Sequence, residues 1–133
     1  KTVLKQNGTT TCNFPPVLGA YYIVVKHRNA IQTWSASPVI ISPGANYNFS
    51  TSASKAYGSN QVSVAPGVWA LYSGDLTIDE NIDLIDLSQL EYDISNWGFG
   101  YMASDINGDG NVDLLDWPVL ENNVNQFIFS NHL

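Results

Sequence analysis

One stretch of twelve residues decides the fold of the C-terminal part of the chain: Asp105-Ile106-Asn107-Gly108-Asp109-Gly110-Asn111-Val112-Asp113-Leu114-Leu115-Asp116. Side-chain oxygens recur at its positions 1, 3, 5, 9 and 12, and Gly110 at position 6 permits the positive φ of a sharp turn. Calcium takes roughly six to eight oxygen ligands and tolerates irregular geometry. The alternative is a solvated turn rich in Asp and Asn. The spacing favours a calcium loop, with position 7 contributing its carbonyl and with these ligands: Asp105, Asn107, Asp109, Asn111, Asp113 and Asp116.

A second copy of this pattern lies 30 residues earlier, at residues 75–86. The residues that follow the two loops also match, so the sequence indicates a duplicated unit of a calcium loop and a helix. The first copy departs from the second at position 3, which is Thr77, and at position 6, which is Glu80. The alternative to calcium binding is that this first copy survived the duplication only as a structural scaffold. The predicted ligands of this second calcium ion are Asp75, Thr77, Asp79, Asn81, Asp83 and Asp86.

A helix is predicted after each loop, with Asp83 and Asp113 as the N-cap residues. Apolar residues recur at helical spacing in both segments. The four aspartates of each loop repel one another without a cation, so calcium is expected to contribute to folding. The apolar positions of the two helices are Leu84, Leu87, Leu90 and Ile94, and Leu114, Trp117, Leu120 and Val124.

Charge divides the chain into two parts. All five Lys and Arg residues lie at or before Lys55, all 12 acidic residues lie at or after Asp75, and the net charge is −7. This asymmetry predicts two modules, residues 1–73 and residues 74–133. The scarcity of basic residues excludes nucleic acid as an expected partner. No apolar run approaches the ~18–20 residues of a membrane span, so membrane insertion is not expected.

The first module has the pattern of an antiparallel β-sandwich. Asn7 and Gly8 form a turn signal between two strand-like runs, which predicts a hairpin over residues 2–14. Short β-branched and aromatic runs then alternate with turns rich in Pro and Gly. The fold expected for the chain is therefore a mainly β, Ig-like or prealbumin-like sandwich followed by two small loop–helix repeats. The remaining predicted strands are residues 21–28, 31–35, 38–41, 47–50, 61–64 and 68–72.

The duplicated loop resembles the dockerin family, because it ends in Asp and no helix precedes it. Dockerins dock cellulosomal enzymes onto cohesins, so the resemblance implies calcium in both loops and a protein partner. Type I dockerins carry small polar recognition residues at loop positions 10 and 11. Here those positions are apolar, which favours packing on a neighbouring domain over cohesin docking: Leu84 and Ile85, and Leu114 and Leu115.

A second resemblance rests on Tyr21-Tyr22-Ile23-Val24-Val25-Lys26-His27-Arg28-Asn29 and on Trp69-Ala70-Leu71-Tyr72-Ser73-Gly74-Asp75. These runs resemble C-terminal modules of large secreted and surface proteins of Bacteroidota, in which a prealbumin-like or CnaB-like sandwich continues into a dockerin-like tail. The resemblance implies a secreted, extracellular or cell-surface module that is stalk-like or adhesive and not catalytic. The sandwiches of that group have further strands upstream, so strand addition from another chain is expected to complete this one.

No group of residues suggests an active site. The clustered carboxylates all fall in the two loops, and His27 has no Ser or Cys partner in the sequence. The single cysteine, Cys12, excludes an internal disulfide and is interpreted as a small core hydrophobe. The chain is therefore expected not to be an enzyme. Four aromatic residues are predicted to lie in the core, with a sugar-stacking platform as the alternative: Trp34, Trp69, Tyr47 and Tyr72.

Two classes of function fit these observations. One is a calcium-binding structural or assembly module of a surface fibre, adhesin or scaffold, whose partners are other protein chains or further copies of this chain. The alternative is a carbohydrate-binding or cohesin-docking module of a secreted glycan-degrading enzyme. Exposed coplanar aromatic residues on one sheet face would favour carbohydrate binding, whereas insertion of a strand into a neighbouring molecule would favour assembly.

Overall fold

Short strands fill the first half of the chain and two helices fill the second. The computed structural model describes all residues, Lys1–Leu133. The helices are α1 (Leu84–Ser95) and α2 (Trp117–Asn125), and two 3₁₀ turns lie at Ala53–Lys55 and Tyr57–Ser59. The strands are β1 (Ala20–Tyr21), β2 (Val24–His27), β3 (Ala30–Trp34), β4 (Val39–Ile40), β5 (Val62–Ala65) and β6 (Val68–Ala70).

The strands pair as three separate antiparallel ribbons: β1 with β4, β2 with β3, and β5 with β6. The prediction of antiparallel pairing is confirmed. The ribbons do not join into two facing sheets, because each has only two strands and no strand exceeds five residues. An isolated two-stranded ribbon buries little apolar surface and needs packing against another element. The architecture is therefore a small mixed fold of ribbons and helices.

The predicted strand at residues 21–28 breaks at its second and third residues. Ser35 causes the interruption, because its hydroxyl accepts a hydrogen bond from Ile23 N at 3.0 Å while its own N–H donates to Ile23 O at 2.8 Å. The Ser35 hydroxyl thus takes the place of a backbone acceptor in the hydrogen-bond ladder between the strands. The alternation of residues along this run predicts that Tyr21, Ile23 and Val25 face the core. The last two are half-buried, but Tyr21 is exposed and its hydroxyl donates to Leu18 O.

Three further predictions in the first half are wrong. Residues 2–14 form the predicted turn, with Lys5 N donating to Thr9 O at 2.9 Å, but no strands flank it and the segment is exposed throughout. Cys12 is consequently exposed rather than in a core. Residues 47–50 form no strand, because Asn48 Oδ1 accepts hydrogen bonds from the N–H and the hydroxyl of Ser50 and so bends the chain.

The two helices start differently. Helix α1 begins after Asp83, as predicted, and a capping box joins Asp83 and Asp86. Helix α2 begins at Trp117 rather than after Asp113, because Pro118 lacks the N–H that would bond to the carbonyl four residues earlier. The N-cap assigned to Asp113 is therefore wrong. Neither helix has the length and apolar character needed to cross a membrane.

The core combines residues from both halves of the chain. Ile31 of β3 joins five buried residues of the loop–helix repeats, and Ile31 N donates to Tyr72 O at 2.9 Å. The β2–β3 ribbon therefore packs on the repeats and helps to position the loops. The division into residues 1–73 and 74–133 stays a prediction, since apolar contacts cross it. The repeat residues of this core are Leu76, Ile82, Leu90, Val112 and Leu120.

Candidate metal centre

The two predicted loops, loop 1 (residues 75–86) and loop 2 (residues 105–116), lie in interlocked repeats. Val112 N of loop 2 donates to Gly98 O after α1, and Ile82 N of loop 1 donates to Ile128 O after α2, both at 2.9 Å. Ile82 and Val112 are 30 positions apart, and so are Gly98 and Ile128. Each loop is therefore held by the segment that follows the other repeat's helix, so the contacts between the two repeats are reciprocal.

Both loops turn through positive φ at the same two positions. Position 6 is Gly110 in loop 2, with φ 89°, and Glu80 in loop 1, with φ 72°. Position 4 is Gly108, with φ 81°, and Ile78, with φ 60°. A side chain in this region costs about 1 kcal/mol per residue, so loop 1 carries strain that glycine spares loop 2. The strain at Glu80 follows from the sequence, whereas that at Ile78 appears only in the structure.

The last Asp of each loop ties the two ends of the loop together. Asp86 and Asp116 have no solvent-exposed surface (0 % for both). Each carboxylate accepts hydrogen bonds from the backbone N–H groups of positions 2, 3 and 9, which offsets the cost of burying its charge. The donors lie at 2.8, 3.0 and 2.9 Å in loop 1 and at 2.7, 2.9 and 3.0 Å in loop 2: Leu76, Thr77 and Asp83, then Ile106, Asn107 and Asp113.

The other carboxylates of loop 2 each accept a backbone N–H of the loop on one oxygen, and the second oxygen of Asp109 also accepts from Asn107 Nδ2. Asp105 Oδ1 accepts from Gly108 N at 2.9 Å, and Asp113 Oδ1 accepts from Leu115 N at 2.7 Å. Asp109 Oδ1 likewise accepts from Asn111 N at 2.9 Å. These bonds shape the loop and leave the second oxygen of Asp105 and of Asp113 without a hydrogen-bond donor from the protein.

The donor set fits calcium in its chemistry, because it consists of carboxylate, amide, hydroxyl and carbonyl oxygens. The carboxylates are not drawn together, however, and no three acidic, His or Cys side chains are close enough to hold an ion as they stand. The structure places the predicted ligands at three depths. Asp75, Asp86, Asp105 and Asp116 are buried, Asp83 and Asp113 are half-buried, and Thr77, Asp79, Asn81, Asn107, Asp109 and Asn111 are exposed.

The electrostatics of the two loops differ at two carboxyl groups. Burial raises the pKa of Asp75 above its usual range, opposed by the Asp79 N–H and reinforced by the charge of Asp86. The Asn111 N–H lowers the pKa of Asp109, which lies in solvent. A cation beside Asp75 would therefore relieve an unfavourable buried charge, whereas Asp109 is already stabilised as the carboxylate.

Apolar and aromatic side chains surround the loops at the surface. Leu84, Ile85, Leu114 and Leu115 are exposed. Sequence reasoning missed a second group, whose alternating spacing and 30-residue offset were the available signal. These exposed residues are Trp97, Phe99 and Tyr101 after α1, and Phe127 and Phe129 after α2. The aromatic residues considered for the sandwich are instead half-buried: Trp34, Trp69, Tyr47 and Tyr72.

His132 makes a contact that gives a pH-dependent prediction. The Glu80 carboxylate, 2.9 Å from His132 Nε2, raises the pKa of this histidine. A folded-state pKa above the unfolded value of 6.5 means that the contact stabilises the fold below pH 6.5. That stabilisation is lost as the pH rises through the folded-state value. In EGTA, NMR titration of His132 should show a lower pKa in Glu80→Gln than in wild type. An identical pKa in both proteins would contradict this.

The relationship between the two repeats is internal to the chain. It covers both loops, their helices and the extended segments that follow, and it preserves backbone pairing as well as residue type. Isolated bridges join Asn81 to Phe129 and Phe99 to Asn111, again at equivalent positions. Comparisons of the chain with protein-family models, with curated proteins and with solved structures found no match.

Proposed function

We propose that this chain is a non-enzymatic, calcium-binding structural module of a secreted or cell-surface protein. The observation that supports it best is the pair of twelve-residue loops that carry oxygen donors at the same positions in two interlocked repeats. Calcium would supply the positive charge that offsets the four aspartates of each loop. Binding to the folded chain alone then stabilises the fold.

Loop 2 offers the more favourable site. Its glycines adopt positive φ without strain, and Asp105 and Asp113 have oxygens that face no protein donor. Loop 1 keeps four aspartates at the ligand positions but replaces the amide of position 3 with the hydroxyl of Thr77, which already donates to Asp86 at 3.1 Å. We therefore assign two calcium ions to the chain and expect the weaker affinity in loop 1.

The side-chain contacts support a role without catalysis. His27 is hydrogen-bonded to Asn29, at 2.9 Å between Nδ1 and Oδ1, and no Ser or Cys side chain is paired with it. The only cysteine lies alone on an exposed segment. Nucleophilic catalysis needs a nucleophile within hydrogen-bond reach of a base. The carboxylates that remain outside the loops, such as Glu91 and Glu121, lie on the two helices.

Exposed surfaces support assembly with other protein chains. The chain pairs the outer edges of the ribbons only in part, as where Ile31 N of β3 donates to Tyr72 O and Trp69 N of β6 donates to Ser50 O, and unpaired edges recruit further strands. A strand donated by another chain would pair an edge, cover apolar surface and extend the ribbons toward the prealbumin-like sandwich. A contact of this kind that repeats from head to tail does not close and produces a fibre. The apolar pairs at positions 10 and 11 of the loops provide a second contact surface.

The assembly proposal predicts self-association that depends on Leu114 and Leu115. Both side chains are exposed (71 % and 67 %), so replacing them should leave the core intact. In calcium, sedimentation velocity of the wild-type chain at increasing concentration should show oligomers. The double variant Leu114→Glu and Leu115→Glu should remain monomeric, since charge opposes burial of this surface.

The matched control is Leu114→Met with Leu115→Met, which keeps the surface apolar and should associate like the wild type. A wild-type chain that stays monomeric at every concentration would contradict assembly through this surface. The carbohydrate-binding alternative would then be favoured by exposed Trp97, Phe99 and Tyr101. It predicts that oligosaccharides change the fluorescence of the chain and that Trp97→Ala abolishes the change.

A further inference from the structure

The turn between β2 and β3 contacts the start of both calcium loops. Asn29 is buried, and its Nδ2 donates to the backbone oxygen of Asp105, the first residue of loop 2, at 3.4 Å. The backbone oxygen of Asn29 accepts from Gly74 N at 2.7 Å. Gly74 immediately precedes Asp75, the first residue of loop 1. A single residue therefore holds the starts of two loops that are 30 positions apart.

Arg28 adds a charged contact to the same carbonyl. Its Nη2 donates to Asp105 O at 3.0 Å, and its guanidinium carbon lies 4.6 Å from the centroid of the Tyr101 ring. Its Nε and Nη1 are buried and have no hydrogen-bond partner. Unpaired buried donors carry a cost, which the bond to Asp105 O and the contact with the Tyr101 ring offset in part.

Neighbouring contacts leave the turn little freedom to move. His27 Nδ1 lies 2.9 Å from Asn29 Oδ1, which directs the amide nitrogen toward Asp105. Ala30 forms a bridge with Ser73, and Ile31 extends the turn into the buried core. A displacement of the turn would therefore move the backbone that leads into loop 1.

Gly74 is confined on its other side by the core. Its φ is 125°, and a Cβ atom added to it would lie 2.6 Å from Leu120 Cδ1 of α2. The chain therefore passes closely between Asn29 and α2 just before loop 1 begins. With so little free space, a shift at the start of one loop is transmitted to the start of the other.

We propose that Asn29, together with Arg28, is a positioning residue that couples the two calcium loops. Calcium in one loop fixes the first residue of that loop, and through Asn29 it orders the start of the other loop. The second ion then meets a smaller ordering cost and binds more tightly. This inference rests on the proposed calcium binding and goes beyond it, since two independent loops would also satisfy that proposal.

Calorimetric titration with calcium chloride of four proteins tests the coupling. They are the wild type, Asp79→Ala, Asn29→Ala and the double variant. Asp79→Ala removes a ligand of loop 1, so the remaining binding reports loop 2. In the wild-type background, disabling the loop 1 site should weaken the calcium affinity of loop 2 by about tenfold, a typical size for coupling between sites. In the Asn29→Ala background, the same substitution should weaken the calcium affinity of loop 2 by no more than about twofold, because the loops are no longer coupled through Asn29.

Asn60→Ala provides the matched control. Asn60 is also buried, and its Nδ2 donates at 2.9 Å to the backbone oxygen of Phe129, which pairs with Asn81 in the middle of loop 1 but lies away from the start of either loop. Its replacement should lower the unfolding midpoint but preserve the tenfold coupling. Arg28→Met is the second test variant if Asn29→Ala fails to fold, since Met keeps the apolar stem but loses the donor to Asp105.

Three results would overturn the coupling. The wild type could show no change in loop 2 when loop 1 is disabled, Asn29→Ala could retain the full effect, or Asn60→Ala could abolish it equally. In each case calcium would still bind, so the proposed function would stand. A wild-type titration without any heat of calcium binding would instead overturn both proposals.

Discussion

Removal of calcium with EGTA should lower the unfolding midpoint of the wild-type chain by roughly 10 °C. A ligand that binds only the folded state contributes RT ln(1 + [L]/Kd), which is about 2.7 kcal/mol at a free concentration one hundred times Kd. For a chain of this size, each kcal/mol shifts the midpoint by about 3–5 °C. Differential scanning calorimetry with and without EGTA measures the effect directly, and occupancy of both loops would make it larger.

Single substitutions should show how much of this stabilisation by calcium each loop contributes. Asp105→Ala or Asp109→Ala should reproduce most of the loss in the presence of calcium, because loop 2 is the less strained site. Asp75→Ala should have the smaller effect. Glu121→Gln is the control, since it removes one negative charge from an exposed position on α2, outside both loops. A midpoint that is the same with and without EGTA would contradict a structural role of calcium.

Leu120→Ala should destabilise the fold by about 2–5 kcal/mol, the range found when a buried Leu is truncated. Leu120 has no exposed surface (0 %) and packs where α2 meets Gly74 and Ile82. Chemical denaturation measures the loss. Leu90 is the equivalent residue of α1 and is also fully buried (0 %), so Leu90→Ala should produce a loss of similar size.

The control for this prediction is Leu114→Ala, which removes the same atoms from an exposed side chain. Its effect should lie within about 0.5 kcal/mol of zero, as for other surface substitutions. Similar losses for Leu114→Ala and Leu120→Ala would contradict the buried interface between the repeats. Loss of the ribbon signal together with the helical signal in Leu120→Ala would show that both halves of the chain unfold together.

The features that the sequence predicts well are those encoded locally. The 30-residue offset predicts a structural duplication, and the equivalent backbone bonds of Ile82 and Val112 confirm it. The start of α1 follows from Asp83, whose side chain satisfies nearby backbone N–H groups. The calcium ions themselves stay a prediction, because their ligands are inferred from residue type and spacing.

The features that the sequence does not predict depend on distant contacts or on one atypical residue. Pro118 delays the start of α2, and Ser35 interrupts the strand that begins at Tyr21. Individual runs in residues 1–73 indicate strands, but they do not indicate which strands pair. The contacts of Arg28 and Asn29 with Asp105 join residues 77 and 76 positions apart, so no local pattern reveals them.

Calcium content per chain tests the central claim most directly. After equilibrium dialysis against calcium and rapid gel filtration, elemental analysis should find two calcium ions per wild-type chain. The double variant Asp105→Ala and Asp109→Ala should retain one ion, held by loop 1. Two ions in the wild type and one in the variant is the result that two binding loops predict. A wild-type chain without bound calcium would contradict it.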